Sequence, residues 1–447
     1  MAKNTQINLT EGPIGKRILA FALPIFIGNL FQQLYGAVDS FIVGNVLGTA
    51  ALAAVSSCGS LMFLLVGFVG GIAIGAGVVI ARYFGAGDME KLETAVHTTV
   101  AFGFAGGIFL TVFGVGFTPL ALKLMGTPKD VMPQAVEYLR CYFFGGIPLM
   151  LYNIFMGIMQ SVGDSRHPLY YLIFSGCLNI VLDYLFVGVM GKGVGYAGIA
   201  TVLSQMVSML LCFRRLVSTK EPYRVEIPKI RFHKQMLKEV MKNGLPAGVQ
   251  NSVISFANVI VQSNINSFGK LAVAGCGAFN KVEGFAFLPI TCFSMALTTF
   301  ISQNLGAKNY DRVKKGARFG VICSITAAEI IGVITITGAP FFIGIFNDNP
   351  EMIAYGVAQA RIMSLFYFLL AFSHCAAGIL RGAGKAEAPM FVMLVCWCAI
   401  RVAYIEIGVR WVRSIKVVFW AYPITWTLSS LAFFYMLKKL GKKMDMH

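Results

Sequence analysis

The chain alternates between long apolar stretches and short polar connections over almost its whole length. Stretches such as residues 52–81, 101–117 and 362–380 are predominantly apolar, and about 20 such residues let an α-helix cross about 30 Å of hydrocarbon. This pattern predicts an all-α integral membrane protein with twelve transmembrane helices. We expect them at about residues 15–44, 50–82, 93–117, 132–159, 167–188, 194–215, 238–267, 271–304, 315–340, 352–380, 388–410 and 416–438.

The second half of the chain repeats the pattern of the first at an interval of 221 residues. Arg82–Asp88 (RYFGAGD), for example, aligns with Gln303–Asn309 (QNLGAKN). Each repeat holds six predicted helices, an even number, so both copies enter the membrane from the same side as parallel repeats. We therefore expect two six-helix bundles, an N-lobe in residues 1–222 and a C-lobe with the linker in residues 223–447. Such duplication is typical of transporters.

Four of the prolines within the predicted helices lie where they could bend a span. Pro24 and Pro246 fall in the first helix of each half, Pro148 in the fourth helix and Pro289 in the eighth. Because proline lacks the backbone N–H donor, we expect it to interrupt or bend each of these helices.

The composition supports a membrane location, and the distribution of charge orients the chain. Hydrophobic residues make up 57% and charged residues 13%, against about 25% charged in soluble proteins. The formal net charge of +17 first suggests nucleic acid, but the cations are concentrated in alternate loops and in the C-terminal tail. By the positive-inside rule these loops and both termini are cytoplasmic. The basic charge then faces anionic membrane lipids, and we expect no nucleic-acid partner.

Two acidic residues lie inside predicted helices of the first half, where a charge costs about 2.5–3.5 kcal/mol. Asp39 shares one face of the first helix with Gln32 and Tyr35, and Asp183 lies one turn after Asn179 on the fifth helix. Both acids fall in the outer half of helices that run outward. We therefore expect the two carboxyl groups to meet at one depth.

The second half lacks acids at the matching positions, which favours a role for them beyond folding. Asp39 aligns with an aliphatic residue and Asp183 with Tyr404. Burial and a nearby carboxylate favour protonation of a carboxyl group, so such a pair can hold a proton and release it when water or a cation arrives. Oxygen ligands also suit Na⁺, which Asp39, Asn179 and Asp183 could hold. The remaining alternative is that each acid only hydrogen-bonds its polar neighbours.

The second half carries its own charges within predicted helices. Lys281 and Glu283 lie in the middle of the eighth helix, where they either face the substrate cavity or pair internally. Arg401 is the only cation of the eleventh helix before Arg410, which can pair with Glu406 four residues earlier. The five histidines and ten cysteines show no spacing typical of a catalytic or metal site. The sequence therefore predicts neither an enzyme nor a structural metal.

Together these features make the chain similar to the MATE (multidrug and toxic compound extrusion) family over nearly its whole length. The matching motifs are Pro24 with Gln32, Tyr35 and Asp39, the Gly85-Ala86 and Gly306-Ala307 helix ends, Gln160–Asp164 with Pro168, Leu178-Asn179 with Asp183, and Leu380–Gly382. The resemblance implies a V-shaped fold that alternates between inward- and outward-facing states. It further implies a cofactor-free monomer in the bacterial cytoplasmic membrane that exports organic, often cationic and amphipathic compounds in exchange for H⁺ or Na⁺.

Within this family the chain looks more like the DinF-like branch than the NorM-like branch. The NorM-like branch places acids in helices 7 and 10, where this chain has Val253–Ser255 and Phe368–Leu370. The DinF-like resemblance implies that the N-lobe couples the ion. The implied ion-coupling residues are Asp39, Asn153, Asn179, Asp183 and Thr201, and the candidate cavity residues are Gln32, Tyr35, Tyr138, Lys281 and Glu283.

A flippase for lipid-linked precursors or oligosaccharides is the main alternative, since it shares this general fold. A flippase cavity should be strongly cationic to hold pyrophosphate. Here only Lys281 and Arg401 stand out as cations within the helices of the second half, and the first half contributes acids instead. A membrane enzyme would need a cluster of nucleophiles or metal ligands that the sequence does not show.

Overall fold

The computed structural model describes residues 7–125, 127 and 129–445, and the regular structure in this part of the chain is helical. The first half contains α1 (Ile14–Leu47), α2 (Thr49–Ala86), α3 (Met89–Leu124), α4 (Met132–Phe144), α5 (Gly146–Ser161), α6 (Arg166–Asp183) with the π-helical segment π1 (Tyr184–Val189), and α7 (Val194–Ser218). A short 3₁₀ turn, Ile227–Lys229, lies in the linker. The second half contains α8 (Lys234–Asn266), α9 (Lys270–Gly306), α10 (Tyr310–Gly344), α11 (Pro350–Ser364), α12 (Tyr367–Gly382), α13 (Glu387–Met393) with π2 (Leu394–Ile400), α14 (Arg401–Trp411) and α15 (Ile415–Asp445).

The predicted helices are confirmed, and the backbone repeats as closely as the sequence does. Helices α9, α10, α12, α13 and α15 each begin 221 residues after α2, α3, α5, α6 and α7. Left-handed backbone at Gly48 and Gly87 recurs at Gly269 and Lys308. The same chain path is therefore built twice from two divergent sequences.

Length and composition support membrane insertion of nearly all these elements. Among the described residues nine helices are long and apolar enough to cross a membrane, or up to eleven if each bent pair counts as one span. Helix α8 does not reach this standard, although it occupies the place of α1 in the second repeat. Its first turns carry Lys234, Lys238, Glu239 and Lys242, which lower its apolar character.

The fourth helix of each repeat is broken, but proline is not the common cause. The axis bends by 50° between α4 and α5 and by 56° between α11 and α12. The first break lies at Gly145, while Pro148 lies in the first turn of α5, a position where proline is tolerated. The second break lies at Leu365 and Phe366, and Leu369 takes the place of Pro148. The expected interruption of this helix is therefore confirmed, with the break three residues before Pro148, whereas the second repeat breaks without a proline.

Pro24, Pro246 and Pro289 do not end the helices in which they lie. Pro24 lies inside α1, Pro246 inside α8 and Pro289 inside α9, each of which continues past its proline. Membrane helices tolerate this because neighbouring helices and side chains satisfy the backbone groups that proline frees.

The chain forms two compact units. The boundaries between them lie after Asn8, after Phe26 and after Gly244. The first unit comprises the chain up to Asn8 together with Ile27–Gly244, and the second comprises Leu9–Phe26 together with the chain from Leu245 onward. These units differ from a division of the chain after residue 222. The start of α1 belongs to the second unit, and the start of α8 belongs to the first.

Within the first unit, α7 packs against α4, α5 and α6, and α2 packs against α3, α4 and α5. A close crossing joins α2 to the start of α8, because a Cβ added at Gly75 would overlap the backbone of Gly244. The absence of a side chain at Gly75 therefore allows this close packing. In the second unit α9 packs against α10, α11 and α12, and α12 packs against α15.

The linker after α7 docks on the beginning of α3 in the first unit. The backbone N–H of Glu226 donates to Nε2 of the buried His97 at 2.9 Å. Lys229 forms ion pairs with Glu93 at 2.7 Å and with Glu226 at 3.1 Å. These two carboxylates raise the pKa of Lys229 above its ordinary value. The linker is thus a fixed part of the first unit.

Candidate functional site

Helices α1 and α6 bring the two acids of the first unit together. Gly176 on α6 makes the contact close, since a Cβ there would lie 2.5 Å from the ring of Phe31 and 3.2 Å from that of Tyr35. On α1, Tyr35 follows Phe31 by four residues and Asp39 follows by four more, so all three share one face. The rings that rest on Gly176 therefore direct Asp39 towards the end of α6, where Asp183 lies.

Asp183 is the last residue of α6 and is followed at once by π1. Single π turns within α-helices occur frequently at functional sites. The side chain of Asp183 is fully buried, with 0% exposure, and Asn179 one turn earlier is 3% exposed. A carboxyl group that is removed from water in this way needs a hydrogen-bonding or charged partner.

The partner of Asp183 is the half-buried Asp39, because the two carboxyl groups interact with each other. Both oxygens of Asp183 and Oδ1 of Asp39 have no hydrogen-bond donor among the described residues. Ionised carboxylates only accept hydrogen bonds. This arrangement can therefore be satisfied by a proton shared between the acids or by a cation bound to them.

Two tyrosines complete the surroundings of the acids. Tyr35 interacts with Asp39 and hydrogen-bonds the exposed Gln32. Tyr138 on α4, 3% exposed, interacts electrostatically with both Asp39 and Asp183. The amide Nδ2 of Asn179, one turn before Asp183 on α6, has no acceptor among the described residues. The structure thus groups Gln32, Tyr35, Asp39, Tyr138, Asn179 and Asp183, which we call the acidic cluster.

The other two predicted ion-coupling residues are bonded to their own helices. Nδ2 of Asn153 donates to the carbonyl of Leu149 at 2.8 Å, and Oγ1 of Thr201 donates to the carbonyl of Ala197 at 3.1 Å. Both side chains are half-buried. Neither bond engages the carboxyl groups of the acidic cluster.

In the second unit the two predicted cavity residues have different surroundings. The side chain of Lys281 is exposed. Glu283, two residues on, interacts with the hydroxyl of Tyr367 on α12 and with the buried guanidinium of Arg401. Tyr367 was not among the predicted residues, because its closeness to Glu283 depends on how α9 packs against α12.

The predicted pair on the eleventh helix is confirmed. Arg410 Nη2 lies 3.8 Å from Glu406 Oε2, and Glu406 also accepts a hydrogen bond of 3.1 Å from Asn264 on α8. The side chain of Arg410 is 79% exposed and that of Glu406 is 45% exposed. This pair therefore belongs to the surface of the second unit.

The described part of the chain contains no group of three or more His, Cys, Asp or Glu side chains that could hold a metal ion. A monovalent cation at the acidic cluster would have the carboxylates of Asp39 and Asp183 and the amide oxygen of Asn179 as ligands. Such oxygen donors suit a hard cation.

Comparison with known proteins bears on both halves of the chain. The family model described as MatE matches residues 24–185 and again residues 246–405. The probable multidrug resistance proteins YoeA and YpnP of Bacillus subtilis are 29% and 28% identical to this chain, covering 84% and 90% of it and 82% and 90% of their own lengths. A solved outward-facing structure of a multidrug resistance MATE family transporter superposes with a TM-score of 0.92 at 20% identity, over 100% of both chains.

Proposed function

Because this chain belongs to the MatE family, we propose that it exports organic amphiphiles across the membrane in exchange for H⁺ or Na⁺, which the acidic cluster of the first unit binds. The chain is a multi-pass membrane transporter with small-molecule substrates, and it is not an enzyme. Antiport, the coupling ion and the residues that carry it are the proposal.

One observation carries the assignment of the ion to the first unit. The carboxyl groups of Asp39 and Asp183 interact with each other, and both oxygens of Asp183 and Oδ1 of Asp39 have no donor among the described residues. Two acceptors in this position need a proton or a cation between them. The aligned positions of the second unit hold an aliphatic residue and Tyr404, so this arrangement occurs in one copy of the repeat.

The ion then exchanges with the substrate through competition for the same acids. Loss of the ion leaves two carboxylates buried together, which is costly unless a cationic group or water replaces it. An ion entering along its gradient restores the neutral cluster and releases the cargo. The membrane potential contributes about 2.3 kcal/mol per 100 mV for each net charge that crosses, whereas a one-for-one exchange with a monovalent cation is driven by the concentration gradient of the ion.

We further propose that the protein lies in the bacterial cytoplasmic membrane as a monomer with both termini in the cytoplasm. The basic linker and the basic first turns of α10 support this orientation. They would contact anionic lipid headgroups, and no nucleic acid is required to balance their charge.

The test is export of a fluorescent organic cation from proteoliposomes that carry either a pH gradient or a Na⁺ gradient. We expect one gradient to drive export by the wild-type protein. Asp39→Asn should abolish gradient-driven export without preventing membrane insertion. The matched control is Asp311→Asn, which removes an exposed acid at the start of α10.

Undiminished gradient-driven export by Asp39→Asn would overturn the role given to the acidic cluster. If neither gradient moves the dye but the protein restores growth to a flippase-deficient strain, the antiporter assignment is replaced by the flippase alternative.

A further inference from the structure

Arg401 occupies a position in the second unit where a charge is expensive. It is the first residue of α14, directly after π2, and lies within the membrane-spanning segment Glu387–Trp411. Only 2% of its surface is exposed. A cation buried at membrane depth needs compensating partners, and such residues mark functional sites.

Part of the compensation comes from α15 and from aromatic rings. Oγ1 of Thr425 accepts hydrogen bonds from Nε of Arg401 at 3.3 Å and from Nη2 at 3.0 Å. The guanidinium carbon lies 4.3 Å from the ring centre of Tyr422 and 5.3 Å from that of Trp397. Trp397 is fixed in turn, since its indole N–H donates to Ser429 at 3.0 Å. Arg401 is therefore held rigidly in an aromatic setting.

The remaining donors of the guanidinium are not used. A guanidinium has five N–H donors, and the bonds to Thr425 leave Nη1 without an acceptor among the described residues. No carboxylate oxygen of the described chain forms an ion pair with Arg401. The acid that interacts with it is Glu283, whose buried Oε1 likewise has no hydrogen-bond partner in the described part.

The unused donors of Arg401 and the unpaired Oε1 of Glu283 thus belong to two groups that interact without forming an ion pair. The planar edge of a guanidinium matches the two oxygens of a carboxylate and binds them with paired hydrogen bonds. The neighbouring rings can stack on an aromatic body that carries this carboxylate.

We propose that the second unit contains a binding site for carboxylate-bearing aromatic amphiphiles, in which Arg401 binds the carboxylate. Glu283 is the internal counter-charge that competes with the ligand for the guanidinium. This inference rests on the proposed transport function and assigns to Arg401 the recognition of a carboxylate on its substrates.

The first repeat shows that the fold can form without Arg401, Glu283 and Trp397. At the 221-residue interval Arg401 corresponds to Ile180, Glu283 to Met62 and Trp397 to Gly176 in the first unit. The first unit builds the same helices without these three side chains. A purely structural bridge between α14 and α15 would need the bonds to Thr425 but would leave no donors free.

The experiment uses two dyes with one xanthene body, a rhodamine with a free carboxylate and its methyl ester. Both are offered to proteoliposomes that contain the full-length protein and carry the driving gradient. We expect Arg401→Met to lower the ratio of carboxylate to ester export by about 10-fold, the value of one charged hydrogen bond. Arg401→Lys, which keeps the charge but not the planar fork, should recover part of this loss. Arg410→Met removes an exposed arginine from the same helix and should leave the ratio unchanged.

Glu283→Gln provides a test of opposite sign. Removal of the internal counter-charge should lower the KM for the carboxylate dye relative to the ester, whereas a residue with only a structural role would impair both dyes together. An equal effect of Arg401→Met on both dyes, or a raised KM for the carboxylate in Glu283→Gln, would overturn the inference. If the wild-type protein exports neither dye under either gradient, the proposed function itself fails, which is a distinguishable result.

Discussion

The two units are built on one repeated scaffold but place opposite charges on corresponding helices. In the first unit the fifth helix of the repeat carries Asn179 and Asp183, with π1 directly after the acid. In the second unit the equivalent helix carries Arg401, with π2 directly before it. Duplication has thus conserved helix starts, turns and bends, while these charged side chains have diverged. The scaffold and the chemistry can therefore be altered separately.

The largest expected effect comes from moving an acid between the repeats. In the double variant Asp183→Asn with Tyr404→Asp, the carboxylate takes the equivalent position in the second unit, where no acid corresponds to Asp39. We expect gradient-driven export to fall to the level of protein-free vesicles, because a single acid cannot form the pair. Export is measured with a fluorescent cation, and Tyr404→Asp alone is the control. Recovery of export in the double variant would show that the two units are interchangeable in ion binding.

A second comparison concerns a helix crossing that differs between the units. In the first unit Gly75 meets the backbone of Gly244, whereas the corresponding residues of the second unit are the buried Ala296 and Ala22. Gly75→Ala should destabilise the protein by about 1–3 kcal/mol, since an added methyl group overpacks the crossing. The thermal unfolding of detergent-solubilised protein measures this change. Gly70→Ala on the same helix meets open space, and an equal loss in that variant would contradict the explanation.

The smallest effect is expected at the turn after the second helix of each repeat. Gly87 has φ 68° and the corresponding Lys308 has φ 59°, the only described residue other than glycine with positive φ. Left-handed backbone costs a residue with a Cβ about 1–2 kcal/mol, so Lys308→Gly should raise the thermal stability slightly. Gly87→Lys should lower it by a similar amount. The same unfolding assay compares the two, and a destabilised Lys308→Gly would indicate that the lysine side chain makes a contact of greater value.

The helices and the pairing of Asp39 with Asp183 were accessible from the sequence, since both follow from local pattern. Hydrophobic runs fix the spans, and the helical repeat places Asp39 and Asp183 at similar depth. The consequence of each proline was not accessible, because the effect of a missing N–H depends on neighbouring helices, as the continuous path through Pro289 shows. The setting of Arg401 was inaccessible for a related reason. Its neighbours come from π2, α9 and α15, and their proximity is a product of packing.

The exchange of helix segments between the units has a consequence for how the protein is made. Chains are synthesised from the N-terminus, and early regions can fold before later ones exist. The first unit needs residues up to Gly244, so it cannot be complete when the sixth span leaves the ribosome. The second unit needs Leu9–Phe26, which is translated first and must wait for its partners until the end. Separate expression of residues 1–222 and 223–447 would therefore give two polypeptides that each lack a piece of their own bundle.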